Sequence, residues 1–187
     1  MNNLYYTTFS SQFGTFTIVW NENNTQLKIQ RIYLSDPELK SEEKALESFK
    51  QIKVGSSSSI EALGKKIQRF LNGEKIKFDL DLVDFNKCFD IQKKVLLAEY
   101  EIPRGWISTY KRIAEKIGIP KGARVVGNAL AKNPFPIIIP CHRAIKTNGE
   151  LGGFQGGLPM KRTLLEMEGI EFSNRGKVIT DRIYYYI

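Results

Sequence analysis

Residues 138–143 read Ile-Ile-Pro-Cys-His-Arg, and His142 is the one histidine of the chain, beside one of its two cysteines. A sulfur nucleophile reacts as the thiolate, and a free cysteine titrates near a pKa of about 8.5. A neighbouring imidazole, unperturbed pKa about 6.5, is able to take the thiol proton directly or through a water. Cys141 is therefore the candidate nucleophile. The competing reading is inert packing, the common fate of a buried cysteine. The flanks favour chemistry: Ile137-Ile138-Ile139 is a short apolar run of strand-like composition, Pro140 ends it, and charged Arg143 follows at once. Two cysteines and one histidine support neither a disulfide framework nor an ordinary zinc site.

The elements that must position this segment lie in the second half. Helical spacing predicts a helix over 89–100, with Ile91, Val95 and Ala98 on one face, broken by Ile102-Pro103-Arg104-Gly105. Ser108 is expected to cap a second helix carrying Tyr110, Ile113, Ala114 and Ile117 at i, i+3, i+4 and i+7. After a turn at Gly118–Gly122, Ala123, Val126, Gly127 and Leu130 repeat that spacing. Two short amphipathic helices with a tight turn are the sequence form of a helix-turn-helix. Lys121, Arg124 and Lys132 make its turn and second helix basic. Asn133-Pro134-Phe135-Pro136 leads into the isoleucine run, and the glycine-rich stretch 149–157 suits either a loop closing over a ligand or a long turn. Pro159 is expected to open a helix with Met160, Thr163, Leu164 and Met167 on one face, stopped by Glu168-Gly169. A small hairpin is expected in 170–187.

The first half reads as scaffold. Phe16, Ile18 and Trp20 alternate with Thr15, Thr17 and Val19; Asn21–Asn24 is a turn signal; Leu27, Ile29, Ile32 and Leu34 resume a strand pattern. Asp36-Pro37 is expected to start a helix running past Ala45, Phe49 and Ile52. Ser58 and Glu61 read as a capping box for a helix with Ile60, Leu63, Ile67, Phe70 and Leu71 on its face, and 75–83 as a further strand.

At 187 residues and 42% apolar composition, the chain is expected to form one domain or two small ones. No secretory signal or membrane-length apolar run is apparent, so an intracellular location with free thiols is expected, cytoplasmic or, in a eukaryote, nuclear. The net charge of +8 is unevenly placed: 12 Lys/Arg face 11 Asp/Glu in 1–88, and 16 face 9 in 89–187. A basic half is the electrostatic footprint of a polyanion binder.

Together, Ile-Pro-Cys-His-Arg, the preceding Asn-Pro-x-Pro-Ile, Ala-Arg-x-Val-Gly, and the downstream Gly-Gly-Phe-Gln-Gly-Gly-Leu and Leu-Leu-Glu-Met-Glu-Gly resemble the O6-alkylguanine-DNA alkyltransferase family, the methylated-DNA–protein-cysteine methyltransferases. The resemblance is close over 89–170. Over 1–88 it holds in outline, where family members carry a variable N-terminal domain with a ribonuclease-H-like sheet. It implies an α/β chain in two parts: a scaffold domain at 1–85, and a mostly helical alkyltransferase and DNA-binding domain at 86–187.

The resemblance also implies the chemistry. Cys141 would accept the alkyl group from O6-alkylguanine, and by extension O4-alkylthymine, in one irreversible turnover. His142 would act as base through a water, oriented by Glu168, while Asn133 shapes the site and Tyr110 assists guanine as leaving group. Tyr110, Leu130, Phe154 and Gln155 would line the pocket. Arg124 would enter the duplex as the base leaves the stack, and Lys121, Ala123, Gly127, Lys132 and Arg143 would join it on the DNA face. For Gly127, close helix packing is an equal reading. The target base must be extruded, because a stacked O6-alkyl group is hard to approach in line with the breaking bond. The partner implied is double-stranded DNA held by the minor groove, with a monomeric protein, no membrane, no cofactor and no metal. Phe154 stands where some relatives carry Tyr, Gln155 is bulkier than a small polar residue found in others, and Trp106 is expected in the core, the alternative being a stack near the DNA face. A damage sensor without transfer lacks the acceptor cysteine. A purely DNA-binding regulator leaves the Cys-His-Arg element unexplained, and a Cys-His hydrolase needs a direct dyad that neighbours in extended chain do not form.

Overall fold

The alternation of the first 34 residues gives three antiparallel strands, β1 (Leu4–Ser11), β2 (Gly14–Asn23) and β3 (Gln26–Leu34). Phe9 pairs with Phe16 and Ile18 with Ile32, and a bulge between Val19 and Trp20 adjusts the register. The structure, a computed structural model, describes residues 3–23 and 26–186. Of the turn expected at 21–24, β2 runs through Asn23 and Asn24 lies outside the described residues. The sheet order is β3-β2-β1-β4, with β4 (Ile52–Val54) parallel to β1.

Helix α1 (Ser41–Ser48) and helix α2 (Ser58–Leu71) complete this part. Tyr6, Val19, Tyr33 and Ala45 form one apolar cluster. On α2, Gly64 sits against the ring of Phe9, where any side chain would collide. Thr17 and Ser41, both fully buried, are joined hydroxyl to hydroxyl at 2.9 Å. Thr8 and Thr15 extend this chain of hydroxyls at 2.9 Å each.

Several sequence expectations shift here. Asp36-Pro37 starts a turn, not a helix: Asp36 accepts from the N–H groups of Glu38 and Leu39, both at 2.9 Å. Its carboxylate also pairs with Lys44 at 2.6 Å, and the Lys44 hydrogen bond and these amides hold its pKa down to about 2. An Asp side chain that satisfies two amides locally offers the backbone an alternative to helix. Helix α1 ends before Phe49, and Ile52 belongs to β4. The N-cap of α2 is Ser57, and Glu61 meets Ser56, not Ser58. Residues 75–83 form no strand; Val83 alone bridges to Ile29.

The chain divides into two compact units, one reaching Phe85 and including Pro134–Ile138, the other comprising Asn86–Asn133 and the chain from Ile139 onward. The second unit holds α3 (Asp90–Glu101), β5 (Ser108–Thr109), α4 (Tyr110–Lys116), α5 (Ala123–Ala131), β6 (Ala144–Ile145) and α6 (Gly157–Met167). The expected terminal hairpin is present as β7 (Glu171–Phe172) and β8 (Val178–Ile179). Thr109 rather than Ser108 caps α4, its hydroxyl accepting from Arg112 N–H, because Ser108 is committed to β5. Ile107, Ile145, Leu165 and Ile170 make an apolar cluster. Trp106, expected in the core, is 40% exposed. On α3, Ile91 of the expected inner face is also exposed, and Leu96 and Glu99 join Val95 and Ala98 inside.

The Ser41→Ala variant is expected to lose about 1–2 kcal/mol of unfolding free energy, since its hydroxyl pairs with both Thr17 and Thr15. A lower urea midpoint at unchanged m-value would report it.

Candidate functional site

A two-residue ladder does the primary positioning. Ser108 pairs with Ala144 and Thr109 with Ile145, in parallel. Tyr110 therefore starts α4 beside the segment that has just left Cys141, which lies in a 3-10 turn at Cys141–Arg143. The isoleucine run is not the expected strand. Pro134, Pro136 and Pro140 remove amide donors, and Ile137 takes a left-handed φ of 74°. For a β-branched residue that conformation is costly, and it is held here by burial of all three isoleucines.

Glu168, the C-cap of α6, organises the polar interior. Its Oε1 accepts from His142 Nε2 at 3.0 Å and from Arg143 Nη2 at 2.8 Å. Its Oε2 accepts from Arg143 Nε at 2.9 Å and from the Gly105 N–H at 3.2 Å. Arg143 Nη1 donates to the Ile102 carbonyl at 2.7 Å. Arg143, expected on the DNA face, is thus corrected to an interior residue: its guanidinium forks onto a carboxylate that would otherwise be a buried, uncompensated charge.

The electrostatics sort the protons. Burial would raise the Glu168 carboxyl, but His142 and Arg143 outweigh it and hold the group well below the usual carboxylate range. Burial lowers His142 against the pull of Glu168, so the ring is neutral at neutral pH. With Nε2–H given to Glu168, Nδ1 is the basic nitrogen. Burial pushes the Cys141 thiol up to about 11, against a hydrogen bond with the Asn133 side chain. The resting sulfur is therefore a protonated thiol. Asn133 is itself buried and donates Nδ2–H to the Ile139 carbonyl at 3.3 Å.

The pocket residues fall around this turn. Tyr110 directs its hydroxyl to the Leu151 carbonyl at 3.5 Å, and burial raises its pKa, so it keeps its proton. Phe154 meets His142 edge to face, centroids 6.3 Å apart. Leu130 is buried on α5, and Gln155 is half-buried in the glycine-rich loop. Gly152 has φ +71° and lies against the Tyr110 hydroxyl, which leaves no space for a side chain. Sequence reading missed Lys161. It is fully buried and donates to the carbonyls of Ala144 at 2.7 Å, Leu151 at 2.8 Å and Gly153 at 3.3 Å. Its signal was present: Lys161, Leu164, Leu165 and Glu168 stand at i, i+3, i+4 and i+7, the face that α6 buries.

The basic helix pair lies outside this core. Lys121, Arg124 and Lys132 are exposed, and Ala123 is half-buried. A Cβ at Gly127 would meet nothing within 4 Å, so close helix packing is not its reason. Among the described residues, no three His, Cys, Asp or Glu side chains group as metal ligands, and no helix is long and apolar enough to cross a membrane.

Glu168→Gln is expected to destabilise the protein by about 3–5 kcal/mol, because Arg143 is left as a buried charge without a counterion. The sign with pH follows from the lowered Glu168 pKa. The wild-type advantage is present above the ordinary glutamate range and is lost as pH falls toward the folded-state value. Melting curves of both proteins should converge in acid; parallel curves at every pH would contradict this.

Comparison with known proteins gives a consistent result. Residues 90–170 match the family described as "6-O-methylguanine DNA methyltransferase, DNA binding domain". The methylated-DNA–protein-cysteine methyltransferase of Methanothermobacter thermautotrophicus is 41% identical over 132 residues, 70% of this chain and 74% of that protein. That of Methanosarcina acetivorans is 34% identical over 171 residues, 89% of this chain and 99% of that protein. The solved structure of Mycobacterium tuberculosis O6-methylguanine methyltransferase superimposes with a TM-score of 0.69 at 30% identity, covering 88% of this chain and 92% of that one. Mycobacterium tuberculosis OGT in complex with DNA gives 0.65 at 30% identity over the same shares. The chain belongs to the methylated-DNA–protein-cysteine methyltransferase family.

Proposed function

We propose that Cys141 is the cysteine that takes the alkyl group when this methyltransferase repairs DNA by direct reversal. The observation that carries the assignment is the 3.0 Å contact between His142 Nε2 and Glu168 Oε1 within the turn that holds Cys141. It leaves a neutral imidazole whose basic nitrogen is Nδ1.

In this reading the Cys141 thiol proton passes through a water to His142 Nδ1, and Glu168 stabilises the imidazolium that forms. The sulfur attacks the alkyl carbon, a C–S bond forms, and the bond from carbon to guanine O6 breaks. Tyr110, still protonated, gives a proton to the departing guanine, and the proton left on His142 returns to it through solvent, so both side chains end neutral. The product is a thioether, and each chain turns over once. Gly152 leaves room for the Tyr110 hydroxyl, while Leu130, Phe154 and Gln155 bound the pocket. O4-alkylthymine is a second substrate of the same chemistry.

The helix pair α4–α5 acts as a helix-turn-helix on double-stranded DNA, entering the minor groove as a monomer. Exposed Lys121 and Lys132 meet phosphates, half-buried Ala123 and open Gly127 permit close approach, and Arg124 fills the space of the extruded base. The sheet with α1 and α2 is the ribonuclease-H-like scaffold. The protein works in the cytoplasm, or in the nucleus of a eukaryote.

Incubation with a duplex bearing O6-methylguanine should add one methyl per chain by intact mass, retained in Cys88→Ala and absent in Cys141→Ala. Methyl gain in Cys141→Ala would overturn the assignment. Arg124→Ala should slow duplex repair while free O6-benzylguanine reacts at the wild-type rate; equal loss on both substrates would remove Arg124 from the DNA face.

A further inference from the structure

Among the described residues of the second unit, Glu99 is a fully buried carboxyl that the chemistry above leaves without a task. It stands on α3 among Val95, Leu96, Ala98 and Ile102, at the spacing of a buried apolar face. It is fully buried, and no side chain hydrogen-bonds to either of its carboxyl oxygens. A carboxylate in such a place carries a large desolvation cost.

The groups around it are defined. From α6 comes Lys161, from the 3-10 turn Arg143 and Cys141, from α4 Tyr110, and from the C-terminal segment Tyr186. The Ala144 N–H faces the carboxyl from β6. Helix α5, also packed on α3, buries Val126, Ala129 and Leu130. Neither cation is an ion-pair partner for Glu99. Arg143 is forked onto Glu168, and the Lys161 ammonium has its three protons on three carbonyls. Burial brings the Lys161 ammonium down to about 8, and the cradle opposes it: a neutral amine has two protons for those three acceptors, so the three carbonyls favour the charged lysine. Burial pushes the Glu99 carboxyl up to about 8, against the pull of Lys161 and Arg143. At neutral pH the cluster therefore contains a neutral Glu99 and a charged Lys161.

We propose that Glu99 is a positioning residue of the transfer reaction: kept neutral, it leaves the Lys161 ammonium to support negative charge on the Cys141 sulfur, and once ionised it withdraws that support. Charge on Glu99 opposes charge on Cys141 and Tyr110, whereas Lys161 favours the thiolate. His142, by contrast, responds to Glu168, Arg143 and Lys161. Moving the proton from Cys141 to His142 is a transfer within the protein, so its equilibrium is level with pH while the surrounding charges are fixed. Ionisation of Glu99 penalises the sulfur end without an equal gain at the imidazole. The rate therefore falls as pH rises through the Glu99 titration. An ionised Glu99 also opposes ionisation of Tyr110 and so hinders its proton donation to guanine.

The inference rests on Cys141 being the acceptor, and the test separates the two. Single-turnover methyl transfer at saturating O6-methylguanine duplex is followed from about pH 6.5 to about pH 9.5 for the wild type, Glu99→Gln and Glu99→Leu. The wild-type rate should be level near neutrality and fall above about pH 8, by about tenfold for each unit by which the thiol titration moves. Both variants should lose that fall. In parallel, the alkylation of Cys141 by iodoacetamide should inflect at lower pH in Glu99→Gln than in the wild type. Superimposable profiles in both assays would overturn the proposal. So would a variant slowed equally at all pH values with a lowered melting temperature, the mark of a structural role. Absence of methyl on Cys141 in the wild type by intact mass would overturn the acceptor assignment itself, and with it this role for Glu99.

Discussion

The Glu168 carboxylate is the interaction on which the site depends. A buried charge of this kind survives when every lone pair has a good donor, and breaking one contact costs more than the contact is worth. Here one oxygen serves His142 and Arg143, and the other serves Arg143 and the Gly105 amide. Three separate pieces of chain, the 3-10 turn, the 102–105 loop and the end of α6, are therefore fixed to a single group. Helix α6 delivers the carboxylate at its C-cap, and Gly169, at φ +81°, lets the chain turn away immediately.

From this follows the resting state of the thiol. Glu168 is ionised and paired with Arg143, so His142 is free to stay neutral, and burial keeps the sulfur protonated. A protonated thiol is a poor nucleophile and slow to oxidise. For a protein whose sulfur is consumed in one turnover, that inertness has a value that a permanently activated thiolate would forfeit. In the proposed transfer, reactivity requires three things at once: a water between Cys141 and His142, an alkyl carbon against the sulfur, and a nearby positive charge, for which the Lys161 ammonium is placed.

Much of this was legible in the sequence where one local rule governed. The meander at 4–34 followed from alternation, and α4 and α5 from helical spacing between glycine turns. What failed were places where a side chain or a tertiary partner overrode the local pattern. Asp36 took two amides into a turn, Ser108 was claimed by a two-residue ladder with Ala144, and three prolines denied the isoleucine run its strand. In the site, Cys141, His142 and Glu168 were found from motif and resemblance. Lys161 was passed over and Arg143 placed on the DNA face for one reason: a cation reads as surface until its acceptors are known, and the acceptors of Lys161 are backbone carbonyls scattered over 144–153.

That misjudgement changes how the basic half should be read. The excess of 16 Lys/Arg over 9 Asp/Glu in 89–187 suggested a surface for polyanions. Arg143 and Lys161 are buried, and the half-buried Arg104 gives Nη2 to the Met167 carbonyl. These charges hold the reactive turn and the glycine-rich loop and release no counterions from DNA. The salt dependence of binding scales with the phosphates neutralised. On the proposed DNA face it is set by exposed groups such as Lys121, Arg124 and Lys132, a smaller number than the net charge suggests. The same residue types thus have two separable tasks in one unit: inside, they fix the charges around a sulfur; outside, in the proposed role, they meet the polyanion that brings the sulfur its substrate.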